Sequence, residues 1–297
     1  MSSSTGPASG LPVRMPRPRQ SGRHRRPEPV SAPEGAPPLV LAVPGAPTAA
    51  SLSVAEEVLS IARSELPGLD ARIGFAENAD EEGLPALETV LASADAAASE
   101  ASGAPSAIVV PLLAGPDSAQ LRGIRQTVLS SGSGAELTDV LGPHPLLAEG
   151  VHVRLSESGL ARADRARLFT VATAADGIVL TTVGGEEAVQ TAGITGMLLS
   201  ARLAVPVLAA ALDEDGAVAA TANRLLEAGS RQLALAPCLI GPEIPEGLLE
   251  SASKEAGCPA AEPLGAYPAI GKLVLSTYMT AAGLAPQRSG TQGPTPR

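Results

Sequence analysis

Histidine and cysteine, the side chains best suited to hold a borderline metal ion, are few in this 297-residue sequence. Histidine occurs three times, as His24, His144 and His152, and cysteine twice, as Cys238 and Cys258. The cysteines lie twenty residues apart, with neither a CxxC spacing nor a matching pair of histidines, so neither a zinc site nor a disulfide framework is indicated. Carboxylates are more abundant. Glu77, Asp80, Glu81 and Glu82 follow the run Arg72–Phe75, and Asp117, Glu186 and Glu243 stand at neighbouring loop starts. Oxygens placed there suit a hard divalent cation, and they equally complement the positive end of a following helix. The Gly184-Gly185 pair is not G-x-G-x-x-G, and neither G-x-x-x-x-G-K-[ST] nor G-x-S-x-G occurs, which argues against nucleotide binding and serine-hydrolase chemistry.

The elements that must position these groups alternate between short apolar runs bounded by Pro and Gly and longer segments of helical period, the pattern of parallel βαβ units. The first run, Leu39–Val43, ends at Pro44-Gly45. In the helix that follows, Leu52, Ala55, Leu59, Ala62 and Leu66 recur at spacings of three and four until Pro67-Gly68 stops it. Strand Arg72–Phe75, helix Leu84–Ala101, strand Ala107–Pro111, helix Ser118–Leu129, strand Leu137–Leu141 and a closing helix Pro145–Leu160 complete one lobe. The order returns downstream, with strands predicted at Gly177–Thr182, Val205–Ala211, Leu233–Pro237 and Ala260–Leu264. Ile108-Val-Val-Pro-Leu-Leu-Ala-Gly-Pro116 aligns with Ala234-Leu-Ala-Pro-Cys-Leu-Ile-Gly-Pro242 at an offset of 126, and Leu141-Gly-Pro-His-Pro145 with Leu264-Gly-Ala-Tyr-Pro268 at 123. Two motifs at nearly one offset indicate duplication. The expected fold is therefore α/β, with two duplicated lobes over residues 38–160 and 161–285. Each is a four-stranded parallel sheet flanked by helices, with a cleft between the lobes. Leu146, Leu147, Val151 and Val153 cannot share one face of the closing helix, so that helix is expected to bridge the lobes. Its counterpart Pro268–Ala282, with Ile270, Val274 and Tyr278, is expected to return to the first lobe.

Charge is divided unevenly along the chain. Residues 1–37 carry six arginines against Glu28 and Glu34 in a Pro/Ser/Gly-rich run, and residues 286–297 are of similar composition; both read as disordered tails. Setting aside their eight arginines and two glutamates leaves 13 basic and 29 acidic residues, a net −16 that argues against a nucleic-acid partner for the folded part. No apolar stretch of secretory-signal or membrane-spanning length occurs, so a cytoplasmic protein is expected. Phe75, Phe169, Tyr267 and Tyr278 are the whole aromatic set, which leaves the cores to Ala, Val, Leu and Ile.

Four motifs in order, Val43-Pro44-Gly45, Gly74-Phe75-Ala76-Glu77, Val109-Val110-Pro111-Leu112 and Leu141-Gly142-Pro143-His144-Pro145, resemble the class II chelatases of sirohydrochlorin and cobalamin biosynthesis, the CbiX-like cobaltochelatases and ferrochelatases. The likeness extends over both lobes. It implies insertion of a divalent metal, cobalt or iron, as substrate into a tetrapyrrole, with cleft histidines holding the metal and a carboxylate helping to remove pyrrole protons. Here Pro44 stands where the first histidine belongs, and Leu112–Gly123 has none where the family usually has a second. The resemblance points to Glu77 as the catalytic carboxylate, and the loops beyond the strand ends point to Gly45, Gly115 and Gly185 as substrate-binding positions; no metal ligand can be assigned. His144 reads as an exposed loop histidine at a helix start. The expected function is that of a sirohydrochlorin chelatase-like protein with metal insertion weakened or lost. The alternative is a non-catalytic tetrapyrrole-binding, metal-binding or assembly protein derived from a chelatase. The oligomeric state is left open, and no resident cofactor is expected.

Overall fold

Strand β1 (Leu39–Val43) is buried along its whole length, between parallel neighbours β2 (Ala71–Phe75) and β3 (Ile108–Pro111), with the short β4 (Glu136–Leu137) beyond β3. The sheet order is β2-β1-β3-β4. Runs such as Leu-Val-Leu-Ala-Val lack polar alternation because helices cover both faces of a parallel sheet. The connections are α1 (Ala49–Glu65), α2 (Leu87–Ala97) and α3 (Ser118–Ser130), and α4 (Pro145–Glu157) closes the lobe. The second lobe repeats the plan with β5 (Gly177–Thr182), α5 (Gly185–Leu203), β6 (Val207–Ala211), α6 (Ala217–Glu227), β7 (Leu233–Pro237), α7 (Leu248–Ala256) and α8 (Pro268–Ala281), in the sheet order β6-β5-β7. This computed structural model describes residues 31–77, 84–98, 104–161 and 174–284. Residues 1–30, Asp80 to Glu82, the end of the predicted helix past Ala98, Phe169 and residues 285–297 lie outside that set.

The second sheet has three strands rather than the four expected. The segment Ala260–Leu264 contributes a single parallel bridge from Ala260 to Leu235, held by Leu235 N to Pro259 O and Ala261 N to Leu235 O, both 2.9 Å. Pro259 precedes it and Pro263 lies within it, and a proline cannot donate to a ladder, so the pairing does not extend. The first sheet's fourth strand is similarly curtailed to Glu136–Leu137. Helix α2 starts three residues later than its apolar spacing predicts, because Pro85 and Ala86 extend alongside Phe75, whose N–H donates to Pro85 O at 3.0 Å. The duplication itself is visible in the backbone. Leu141 N donates to Leu113 O (3.0 Å), and the equivalent Leu264 N donates to Leu239 O (2.9 Å).

The closing helices change sides as their apolar faces require. Helix α4 packs on α5 of the second lobe, and α8 packs on α1 of the first. Their seams are tight: a Cβ on Gly271 of α8 would stand 2.6 Å from Ile61 and 2.9 Å from Val58 O of α1, and one on Gly150 of α4 would stand 2.9 Å from Leu264. The Arg154 guanidinium donates to Leu264 O at 2.7 Å, tying α4 to the far lobe. One apolar core therefore runs through both lobes, joining Leu39, Leu41 and Val58 to Leu180, Ala236, Ile270 and Val274. Each fully buried Leu, Ile or Val in it contributes about 1.5–3 kcal/mol relative to exposure. Tyr278 is fully buried, and its hydroxyl donates to Pro37 O at 2.7 Å. Ala32 N donates to Pro67 O at 2.9 Å. Residues 31–37, which their composition groups with the tail, thus dock on the folded core. Among the described residues no helix is long and apolar enough to cross a membrane.

Candidate functional site

The carboxyl ends of the central strands of the two sheets face each other across a seam with approximate twofold symmetry. In the first sheet Leu39 pairs with Ile108, and in the second Ile178 pairs with Ala234, so Gly45 and Gly184 fall at equivalent places six residues further on. Both carry positive φ, +73° and +109°, which suits glycine alone. A Cβ on Gly45 would lie 3.2 Å from Pro242 O, and one on Gly184 would lie 2.8 Å from Pro116 O and from the Asp117 Cα. Since Pro116 and Pro242 are themselves equivalent, each lobe presses the glycine after its first strand onto the Gly-Pro turn after the other's third strand. Backbone meets backbone there, and the floor of the cleft is closed.

Acidic groups line this floor with their oxygens engaged. Glu243 is buried, its Oε1 accepting from Ile240 N (2.6 Å) and its Oε2 from Gly241 N (2.8 Å). Burial pushes its carboxyl pKa up against the pull of those amides, and Asp117 across the seam pushes it further. Asp117 caps α3, with Oδ1 accepting from Ala119 N and Gln120 N at 2.9 and 3.0 Å. The buried Cys238 thiol is pushed up to about 12, chiefly by burial and then by Glu243. A metal ion needs several convergent lone pairs, whereas Pro44 offers none and the carboxylates of Glu243 and Asp117 already serve the backbone. Among the described residues no three His, Cys, Asp or Glu side chains converge as a metal-holding group. Among the described residues, the donors at this seam do not make up a divalent-ion site.

Glu77 is exposed, two residues beyond the Val43–Phe75 pairing. The N–H of Ala76 donates to Val43 O (2.9 Å), so Glu77 follows directly on the carboxyl end of the β1–β2 pair, on the side of the Pro44-Gly45 turn. Gly115 faces the second lobe, where its Cβ would lie 3.9 Å from Thr182 Oγ1. Gly185 (φ +71°) opens α5, with Glu214 Oε1 3.7 Å from its Cβ position. Gly45 and Gly115 therefore meet the opposite lobe, whereas Gly185 follows the seam residue Gly184 and faces Glu214 of its own lobe. Glu186 lies beside them on the first turn of α5 and accepts from Gln190. The histidines do other work. His144 is half-buried and caps α4, its Nδ1 accepting from Leu146 N at 3.1 Å, and burial lowers its pKa. It is not the solvent-exposed loop residue expected. His152 is buried in α4, and its Nδ1 accepts from Arg202 Nε of α5 at 2.8 Å.

Sequence reasoning missed a groove at the rim of the seam. Lined by Pro116, Ser118, Leu121, Arg122 and Arg125 on one side and Glu187 on the other, it measures about 260 Å³. Its signal was present in the sequence: α3 carries two arginines at i and i+3 and no acid, in a folded region that is otherwise strongly acidic.

No protein-family model and no curated protein matches this sequence. Solved structures do resemble it. Sirohydrochlorin chelatase SirB from Bacillus subtilis subspecies spizizenii, in complex with cobalt, superimposes with a TM-score of 0.57 at 14% identity, covering 83% of this chain and 96% of that one. SirB from Bacillus subtilis with Fe3+ gives a TM-score of 0.61 at 16% identity over the same shares of the two chains. At such identities the likeness establishes the fold, a two-lobed α/β architecture of the sirohydrochlorin chelatase type.

Proposed function

We propose that this chain is a sirohydrochlorin chelatase-like protein of tetrapyrrole metabolism, working in the cytoplasm, whose metal insertion is weak or lost. The observation that supports the reading is the two-lobed fold, shared with SirB over 83% of this chain and 96% of that one; in this reading the four motifs bring Glu77, Gly45 and Gly115 to one seam. In this reading the macrocycle rests over the seam. Gly115 and Gly185, lacking side chains, let a flat ring approach the backbone, and Gly45 closes the floor beneath it. Insertion of cobalt or iron as substrate displaces two pyrrole N–H protons. Glu77, exposed just past the carboxyl end of β2, is the base for one of them.

A second reading, a non-catalytic tetrapyrrole-binding or assembly protein, is favoured by the donor set. Proline at position 44 neither coordinates a metal nor accepts a proton, and the oxygens of Glu243 and Asp117 are committed to backbone amides. Oxygen-only sites also favour harder cations than cobalt or ferrous iron. Spectroscopic titration with sirohydrochlorin, with and without Co²⁺, separates the two readings. Slow cobalt-dependent spectral change that weakens in Glu77→Ala and accelerates in Pro44→His supports a residual chelatase. Binding without turnover supports the second reading. Absence of any sirohydrochlorin binding refutes both, and turnover indifferent to Glu77→Ala refutes the assignment of the base.

A further inference from the structure

Between α3 and the first turn of α5, at the rim of the seam, lies the groove lined by Pro116, Ser118, Leu121, Arg122, Arg125 and Glu187. Arg122 and Arg125 are one turn apart on the exposed face of α3, and neither forms an ion pair or hydrogen bond among the described residues. Arg63 is bonded to Ala71 O, Arg72 to Asp70, Arg154 to Leu264 O and Glu157, and Arg202 to His152, while Arg224 and Arg231 stand singly rather than as a pair one turn apart. Helix α3 contains no Asp or Glu, so no carboxylate at i±3 or i±4 balances the pair. Two free guanidinium groups at a cleft mouth, in a folded region of net −16, form a local positive site within a repelling field. The guanidinium fork matches a carboxylate bidentately.

We propose that this groove is the carboxylate-recognition subsite of the cleft, in which Arg122 and Arg125 hold an acidic side arm of a polycarboxylate ligand while the body of that ligand lies over the seam. The proposal rests on the tetrapyrrole reading for the ligand's identity, though not for the groove's chemistry. The groove's volume suits a side arm rather than a macrocycle. Ser118, at the start of α3, adds a hydroxyl donor on the same wall. Glu187 stands on the opposing wall and sets a limit: it repels an incoming carboxylate unless that carboxylate seats on the arginine side. Affinity should therefore rise when this charge is removed.

The test titrates the full-length protein, Arg122→Ala/Arg125→Ala and Glu187→Gln with two probes, sirohydrochlorin and benzenehexacarboxylate, the second having carboxylates without a macrocycle. The double variant should bind sirohydrochlorin about tenfold more weakly, and Glu187→Gln about twofold more tightly. Both differences should collapse near 0.5 M salt, where the screening length falls to about 4–5 Å. All three positions are exposed, so far-UV circular dichroism should be unchanged. If the wild type and the double variant bind sirohydrochlorin equally, the subsite is overturned and the tetrapyrrole reading stands. If only benzenehexacarboxylate binds, and binds through the arginines, the subsite stands and the tetrapyrrole reading fails. Binding of neither probe overturns both.

Discussion

Replacing Gly271 by alanine adds one methyl group where α8 of the second lobe meets α1 of the first. That carbon would lie 2.6 Å from Ile61 Cβ and Cγ2 and 2.9 Å from Val58 O, against an ordinary carbon contact of about 3.5–4.0 Å. Ile61 is β-branched and stiff, and Val58 O belongs to the backbone of α1, so the helices must part by about 1 Å rather than one side chain turning aside. Overpacking of this kind costs about 3 kcal/mol at the upper end of its usual range. Alanine recovers about 1 kcal/mol of helix propensity over glycine, leaving a net loss of about 2 kcal/mol. For a chain with about 250 folded residues this lowers Tm by about 4–8 °C. The control is Gly123→Ala in α3, where a Cβ meets nothing within 4 Å. There the propensity gain acts alone, and Tm should rise by about 1–4 °C. Thermal melts followed by far-UV circular dichroism at matched protein concentration read both. If Gly271→Ala matches or exceeds the wild type in stability, the reasoning that α8 seats tightly on the opposite lobe is wrong.

Other outcomes follow from the seam and the termini. Burial raises the Glu243 pKa in the folded state, so its contribution is fully present below the unfolded carboxyl range and is lost as pH rises through the folded value; on acidification from about pH 8 to about pH 5 the wild type should gain stability relative to Glu243→Gln in urea titrations, and parallel pH profiles would refute this. With the Cys238 thiol pushed up to about 12 and Cys258 also raised by burial, the native protein should react slowly with a thiol-specific disulfide reagent at neutral pH and release two equivalents only when unfolded, whereas one fast equivalent would show that a cysteine is accessible. Deleting residues 1–30 should leave Tm unchanged within error, but extending the deletion through Pro37 removes the acceptor for the buried Tyr278 hydroxyl and should cost about 1–3 kcal/mol; equal melting of the two truncations would overturn the docking of that segment.

The strands that the sequence revealed best were those set by apolar runs between Pro and Gly. Gly177–Thr182 and Leu233–Pro237 need burial on both faces, and nothing but a covered parallel strand supplies it. Ala260–Leu264 misled because Pro259 precedes it and Pro263 interrupts it, and the missing donors, not hydropathy, decide how far a ladder runs. The exchange of closing helices was legible from too many apolar residues around α4 for one face. At the site, the glycines at the seam could be read from strand-end position. The commitment of Glu243 to Ile240 and Gly241 amides could not, because a carboxylate before a helix looks the same in sequence whether it serves a ligand or its own loop. His144 differs for the same reason: a histidine before Pro145 reads as exposed loop until its ring nitrogen is seen to cap the helix.

The crossing of α8 onto α1 bears on how the protein is made. The Tyr278 hydroxyl reaches a carbonyl 241 residues earlier in the chain. At translation rates of about 5–20 residues per second, a first lobe completed near residue 160 waits roughly 6–24 s for that partner, with Val58 and Ile61 on the exposed flank of α1. During that interval the ribosome-bound chain presents an apolar helix face that only its own C-terminus can cover. A stalled or C-terminally nicked product would therefore be a substrate for chaperones and proteases rather than a smaller working protein.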